Sequence, residues 1–187
     1  MRQKKAAKFG KKKRKGQLIF IGIIGAVVII IAFGVYNFVQ NPPRSAEFGA
    51  IGSTHEHAAL KLFINDEELV DFSKPQYQLR SRFIHFEDNN GVIIHMHATG
   101  VDLGFHFQSV RMEFDDQCII LSNGSEYCND GDKTLKFFVN GVRNDLYDKY
   151  VLKDGDKLLI TYGIDAEEQI KSQLNTLDLI PVPVGQP

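Results

Sequence analysis

Two His-x-His tripeptides, His55-Glu56-His57 and His95-Met96-His97, are the residues of this chain whose type and spacing point to chemistry. Residues i and i+2 of a β-strand face the same way, so each tripeptide aims two imidazoles at one side. Neutral imidazole is the commonest metal-ligating side chain. Four of the six histidines are spent in these pairs, and His85 lies just upstream of the second. No cysteine stands among them. An all-nitrogen set with a carboxylate suits Cu(II) or Zn(II), and also Ni(II) or Fe(II), better than Cu(I).

The segment from Phe83 to His97 must position these rings, and it reads as a hairpin. A three-residue loop, Asn89-Asn90-Gly91 with glycine in the left-handed position, sets Phe86 opposite Ile94 and Ile84 opposite Met96 on one apolar face. His85 then faces His95, and Phe83 faces His97, on the other. A two-residue Asn90-Gly91 turn would mix polar and apolar residues on both faces, and burial of one face selects against that register. Cross-strand partners have Cβ atoms about 4.5–5.5 Å apart, close enough for two imidazoles to share an ion. The predicted ligand set is His55, His57, His85, His95 and His97, with Glu87 as a ligand or as an acceptor behind one. His106, between Phe105 and Phe107 in a predicted helix, is left out of that set.

Cys118 and Cys128 are read the same way. With Ser122-Asn123-Gly124 as a three-residue loop, Cys118 falls opposite Cys128, which predicts a structural disulfide rather than a redox pair. The short closed loop limits its stabilisation to about 2–3 kcal/mol. Asn123-Gly124-Ser125 is also a glycosylation sequon at a loop tip.

The remaining elements give a mainly β (α+β) chain. Alternation and β-branched or aromatic content predict strands at 58–64, 69–72, 82–87, 92–97, 117–121, 126–128, 134–140 and 157–162. Turn residues separate them, including Asn65-Asp66, Asn140-Gly141 and Asp154-Gly155. A short helix is expected over 102–110, capped by Asp102. A second begins at the capping-box-like Asp165-Ala-Glu-Glu168 and runs to about Leu177, before an extended tail.

The first 16 residues carry nine of the 22 Lys and Arg and no acid. Leu18 to Val39 then runs without a charge, long enough at about 1.5 Å per residue to cross a bilayer core of about 30 Å. This apolar run exceeds that of a cleavable signal peptide, so a signal anchor is expected, with a long cleaved signal as the alternative. The positive-inside rule predicts a cytoplasmic N-terminus and an extracytoplasmic remainder on a single-pass cell-membrane protein. The implied organisation is a basic tail (1–16), a transmembrane anchor (17–40), a linker (41–52), an extracytoplasmic β-rich domain (53–164), and a C-terminal helix and tail (165–187). Beyond residue 40, 13 Lys and Arg face 23 Asp and Glu. That acidic balance argues against a nucleic-acid partner. Membrane lipids are the expected contacts of the basic tail and anchor. Gly22, Gly25 and Gly34 leave room for a membrane-protein partner.

Two resemblances bear on this reading. Leu135 to Gly141, followed by Tyr150 to Ile160 with its Asp154-Gly-Asp156, resembles part of β-grasp domains. The absence of a Gly-Gly end departs from the sulfur-carrier members of that group. The basic tail, the anchor, His55-Glu-His57-Ala, Ile84-His85-Phe86-Glu87, His95-x-His97-Ala-Thr-Gly100 and Asp154-Gly-Asp156 together resemble uncharacterised single-anchor exported proteins of ammonia-oxidising archaea. That resemblance implies copper. Some members are labelled protein-disulfide isomerases, a label that a chain without Cys-x-x-Cys does not support. The leading expectation is a membrane-anchored metal-binding domain for copper or zinc capture, delivery or sensing. A small metal-dependent hydrolase or oxygenase with Glu87 as base, and a non-catalytic accessory subunit of a membrane complex, stay open as alternatives.

Overall fold

The computed structural model describes residues 2–164 and 166–185. The chain divides into two units, Met1–Ala46 and Glu47–Pro187. The first unit is a single helix, α1 (Arg2–Gln40), followed by a short 3-10 turn at Arg44–Ala46. Within α1, Gln17–Gln40 has a mean hydropathy of 3.1, long and apolar enough for a membrane anchor or a signal sequence.

The second unit is α+β. Its strands are β1 (Glu56–Ile64), β2 (Ile84–Phe86), β3 (Ile93–Met96), β4 (Glu113–Phe114), β5 (Cys118–Ile120), β6 (Glu126–Cys128), β7 (Thr134–Val139), β8 (Val142–Arg143) and β9 (Asp156–Gly163). Two helices accompany them, α2 (Leu103–Ser109) and α3 (Glu167–Asp178). Six strands form a mixed sheet in the order β2-β3-β1-β9-β7-β8, and β4-β5-β6 form a second sheet. The central pair, β1 and β9, is parallel, and every other pairing is antiparallel.

Alternation along the strands separates the faces. Ala58, Leu60, Leu62 and Ile64 of β1 enter the main core, together with Ile84, Phe86, Ile94 and Met96. The same core takes Leu103 and Phe107 of α2, and Ile119 of the small sheet. Ala59, Phe63, Ile93 and Leu159 point to the opposite face, where Leu177 of α3 covers them and Ile180 and Val182 of the tail pack alongside. α2 begins as expected, with Asp102 Oδ1 accepting the Phe105 amide at 2.8 Å. Asp165, expected to open the capping box of α3, lies outside the described residues. Ala166 occupies the N-cap position without a side-chain bond.

The hairpin register is the predicted one: Ile84 pairs with Met96, His85 with His95, and Phe86 with Ile94. The loop differs. The left-handed residues are Asp88 and Asn89, not Gly91. Asn90 closes the turn, its amide bonding Glu87 O at 2.9 Å and its Oδ1 accepting the Val92 amide at 2.8 Å. Gly91 is needed for another reason. A Cβ there would lie 2.3 Å from Ser73 N and 2.7 Å from Phe72 C, so only glycine allows that backbone approach.

The strand expected over 69–72 does not form, although Phe72 is buried in the core. Its apolar residues anchor a loop, and the free edge of β2 is met instead by the later Gln78–Leu79 backbone, where the Leu79 amide bonds Phe86 O at 2.8 Å. Two short strands, β4 and β8, were not anticipated. β8 follows the Asn140-Gly141 turn, whose φ values of 51° and 82° suit a tight hairpin. Cys118 and Cys128 form the expected disulfide, opposite each other with a Cα separation of 4.1 Å. The neighbouring Asn129 N–H bonds Gln117 O at 2.9 Å, so the cysteines occupy a non-hydrogen-bonded pair, where strands run closest.

Candidate metal centre

Sheet pairing gathers five imidazoles. His57 lies opposite His95 across β1–β3, and His95 lies opposite His85 across β3–β2. His85, His95 and His57 thus form one row over three adjacent strands. His55 and His97, each two residues along, stand beyond that row. Ring centroids measure 4.7 Å for His55–His57, 4.6 Å for His57–His95, 4.9 Å for His55–His97 and 5.0 Å for His85–His97. All five rings belong to this connected set. The rows occupy the face of the sheet that α3 shares, next to Ala59 and Ile93.

Three of the rings form a donor set, His55, His57 and His95: one nitrogen from each lies within 4.8 Å of the others. Two nitrogens on one tetrahedral ion, each about 2.0–2.1 Å from it, sit roughly 3.4 Å apart. Closure therefore needs ring movements on the order of 1 Å. His55 is exposed and free to make them, whereas His57 is held in the sheet and buried. The Nδ1 atoms of His57 and His95 are buried without a hydrogen-bond partner. Unpaired buried acceptors or donors are costly, and a bound cation is one way to satisfy them. The residues present fit a Zn(II)- or Cu(II)-type ion.

Glu87 follows the end of β2 and reaches back over the row. Its Oε2 lies 3.1 Å from His85 Nε2, and its Oε1 lies 3.2 Å from His95 Nδ1. Burial pushes the Glu87 carboxyl up, but the bond to His85 and the charges of His95, His85 and His97 outweigh this and hold it below the usual range. Burial lowers the pKa of His95, and neighbouring histidines lower it further against the opposing pull of Glu87. Burial likewise lowers His97, followed by repulsion from His85 and His55. Both rings are thereby kept in the neutral, ligand-competent form.

Two orienting contacts were not visible in the sequence. Ser81 O lies 2.6 Å from His85 Nδ1. Asp154 Oδ1 accepts the His57 backbone amide at 3.0 Å and lies 3.6 Å from His57 Nδ1. Asp154 arrives through the parallel pairing of β1 with β9, and Gly155 N–H bonds His57 O at 2.8 Å. The Asp154-Gly155 turn signal was legible, but nothing local indicated that it would meet a strand nearly a hundred residues earlier.

Phe83 departs from its expected place beside the histidines. Its carbonyl accepts the His97 amide at 2.8 Å, as the register requires. Its ring instead packs edge-on against Phe48 and Phe105, at 5.6 Å and 6.1 Å. The residue lies in the bend before β2, where strict alternation no longer applies. His106 is fully buried beside Phe86, with a centroid separation of 4.9 Å, and takes no part in the centre.

Comparison with protein-family models, curated proteins and solved structures gives no match for this chain.

Proposed function

We propose that this chain is a membrane-anchored, extracytoplasmic metal-binding protein that captures, delivers or senses copper or zinc. The observation that carries the reading is the convergence of His55, His57 and His95 within coordinating reach of one another. His85, His97 and Glu87 supply further donors on the same face. The mix of a buried His57 and an exposed His55 supports exchange of the ion with solvent from the His55 side. The likeness to exported proteins of ammonia-oxidising archaea favours copper. The order β3-β1-β9-β7-β8, with a parallel central pair, supports the likeness to β-grasp domains.

The test is the metal content of the purified protein, and its affinity for Zn(II) and Cu(II), before and after His57→Ala and His95→Ala. Each substitution is expected to weaken binding by more than the roughly 10–100-fold that follows loss of an orienting partner. Tight binding that survives both changes together removes the reading. The orientation has its own test. In sealed membrane vesicles of cytoplasm-inside polarity, external protease is expected to digest the second unit, and protection of that unit reverses the assignment.

A further inference from the structure

We propose that the histidine face holds two metal ions, the second bound by His85, His97 and Glu87, with the Glu87 carboxylate bridging the pair. This rests on the metal-binding reading above and adds a second site to it.

The donor count comes first. Five imidazoles and a carboxylate exceed what one four-coordinate ion takes. His55, His57 and His95 form a complete triad without the other two rings. His85 and His97 then remain, 5.0 Å apart between centroids, and the Glu87 carboxylate contacts His85 on one side and His95 of the triad on the other.

The second argument concerns lone pairs. A backbone carbonyl only accepts, so the 2.6 Å contact with Ser81 O places the proton of His85 on Nδ1. In the neutral ring, Nε2 is then a lone pair, and it faces Glu87 Oε2, another acceptor, at 3.1 Å. Two acceptors facing each other require a cation, either a proton or a metal ion. An imidazole whose Nδ1–H is held by a backbone carbonyl is the usual arrangement for ligation through Nε2.

The distances are those of donors on a common ion as well as of a hydrogen bond to a protonated ring, and zinc titration tells the two apart. A nitrogen and an oxygen bound to one ion at about 2.0–2.2 Å lie roughly 2.9–3.4 Å apart. The His85 Nε2–Glu87 Oε2 distance of 3.1 Å and the His95 Nδ1–Glu87 Oε1 distance of 3.2 Å both fall in that range. The second pair is not a hydrogen bond, because His95 Nδ1 is buried with no such partner. Each carboxylate oxygen therefore stands at ligand-to-ligand distance from a different histidine. Oε1 lies beside His95, a member of the triad, and Oε2 beside His85. A carboxylate so placed spans two ions, which in such pairs are about 3.5–4 Å apart.

The experiment is a zinc titration of the full-length chain in detergent, by equilibrium dialysis, with bound zinc per chain measured by atomic spectroscopy. The wild-type protein is expected to bind two equivalents, and Glu87→Gln and His85→Ala one each. Near-UV circular dichroism checks folding, and His97→Ala replaces His85→Ala if the buried substitution unfolds the chain. With Cu(II), the bridged pair is expected to show less integrated paramagnetic signal than its copper content, and Glu87→Gln to restore the full signal of a single ion. Saturation of the wild type at one equivalent overturns the second site and leaves the metal-binding reading standing. Two equivalents in the wild type and in every folded variant also overturn it. Absence of any binding removes both.

Discussion

His106 shows what an imidazole costs when it is not offered to an ion. It is fully buried, and neither ring nitrogen has a hydrogen-bond partner. Burial, and then the charge of His85, hold its pKa at about 3, against an ordinary 6.5. Between those values the unfolded chain binds a proton that the folded chain does not. The stability associated with this ring is therefore full above about pH 6.5 and declines as pH falls toward 3, by at most about 1.4 kcal/mol per pH unit. His106→Leu is expected to flatten that acid limb in urea titrations, and to leave stability at pH 7.5 unchanged or raised. An acid limb identical to that of the wild type contradicts the assignment. Asp154 makes the opposite contribution, by orienting a ligand. Asp154→Asn keeps an oxygen for the His57 amide, which Oδ1 accepts, but loses the Oδ2 acceptor of the exposed Gly185 amide and the charge facing His57 Nδ1. It is expected to weaken metal affinity about tenfold while lowering the metal-free melting temperature only slightly, because the amide that loses its acceptor is exposed, as calorimetry with and without zinc will show. His85, His95 and His97 were legible because a period of two and one hairpin register place them, whereas His55 and His57, legible as a pair, reach them through the pairing of β1 with β3. Asp154 and Ser81 were not, since their contacts depend on a long-range strand pairing and on a bend before β2.

The β2–β3 hairpin is the element on which the centre depends, and its register comes from burial rather than from its turn. Ile84, Phe86, Ile94 and Met96 are all at most 1% exposed, so a one-residue slip would place the histidines in the core and four apolar chains in water. That energetic difference made the pairing readable. The turn itself was misread because Gly91 suggested a left-handed glycine, when its role is to let β3 start against the Phe72–Ser73 backbone. Gly91→Ala is therefore expected to destabilise the fold by about 1–3 kcal/mol through backbone displacement. It should also weaken metal binding, because the displaced strand carries His95. Thermal melts and zinc titration of this one variant check both. The 69–72 segment was misread for a related reason: alternation signals a buried face but not whether a partner strand is available. At the start of β9, opposite Ala58 of β1, Asp156 is buried and accepts from Asn140 Nδ2, Tyr150 Oη and the Lys153 amide at 2.9, 2.6 and 2.8 Å. Asp156→Ala leaves those donors unmatched, and chemical denaturation should show a loss on the order of 1–3 kcal/mol.

At the scale of the second unit, the division of labour is between two sheets. The large sheet carries the histidine cluster on one face and the main core on the other. The small sheet carries the disulfide and closes that core through Phe114, Ile119 and Leu121. Reduction of Cys118–Cys128 is expected to lower stability by about 2–3 kcal/mol while leaving zinc stoichiometry unchanged, because no ligand lies on β4, β5 or β6. Denaturant melts and dialysis under reducing and oxidising conditions measure the two quantities separately. The tail after α3 runs back along the large sheet, and Gly185 N–H reaches Asp154 Oδ2 at 2.8 Å. The same carboxylate contacts His57. A polyhistidine purification handle fused behind residue 187 would therefore hang its own imidazoles beside the centre and compete for the ion being counted, so handle-free preparations are the ones in which occupancy has meaning.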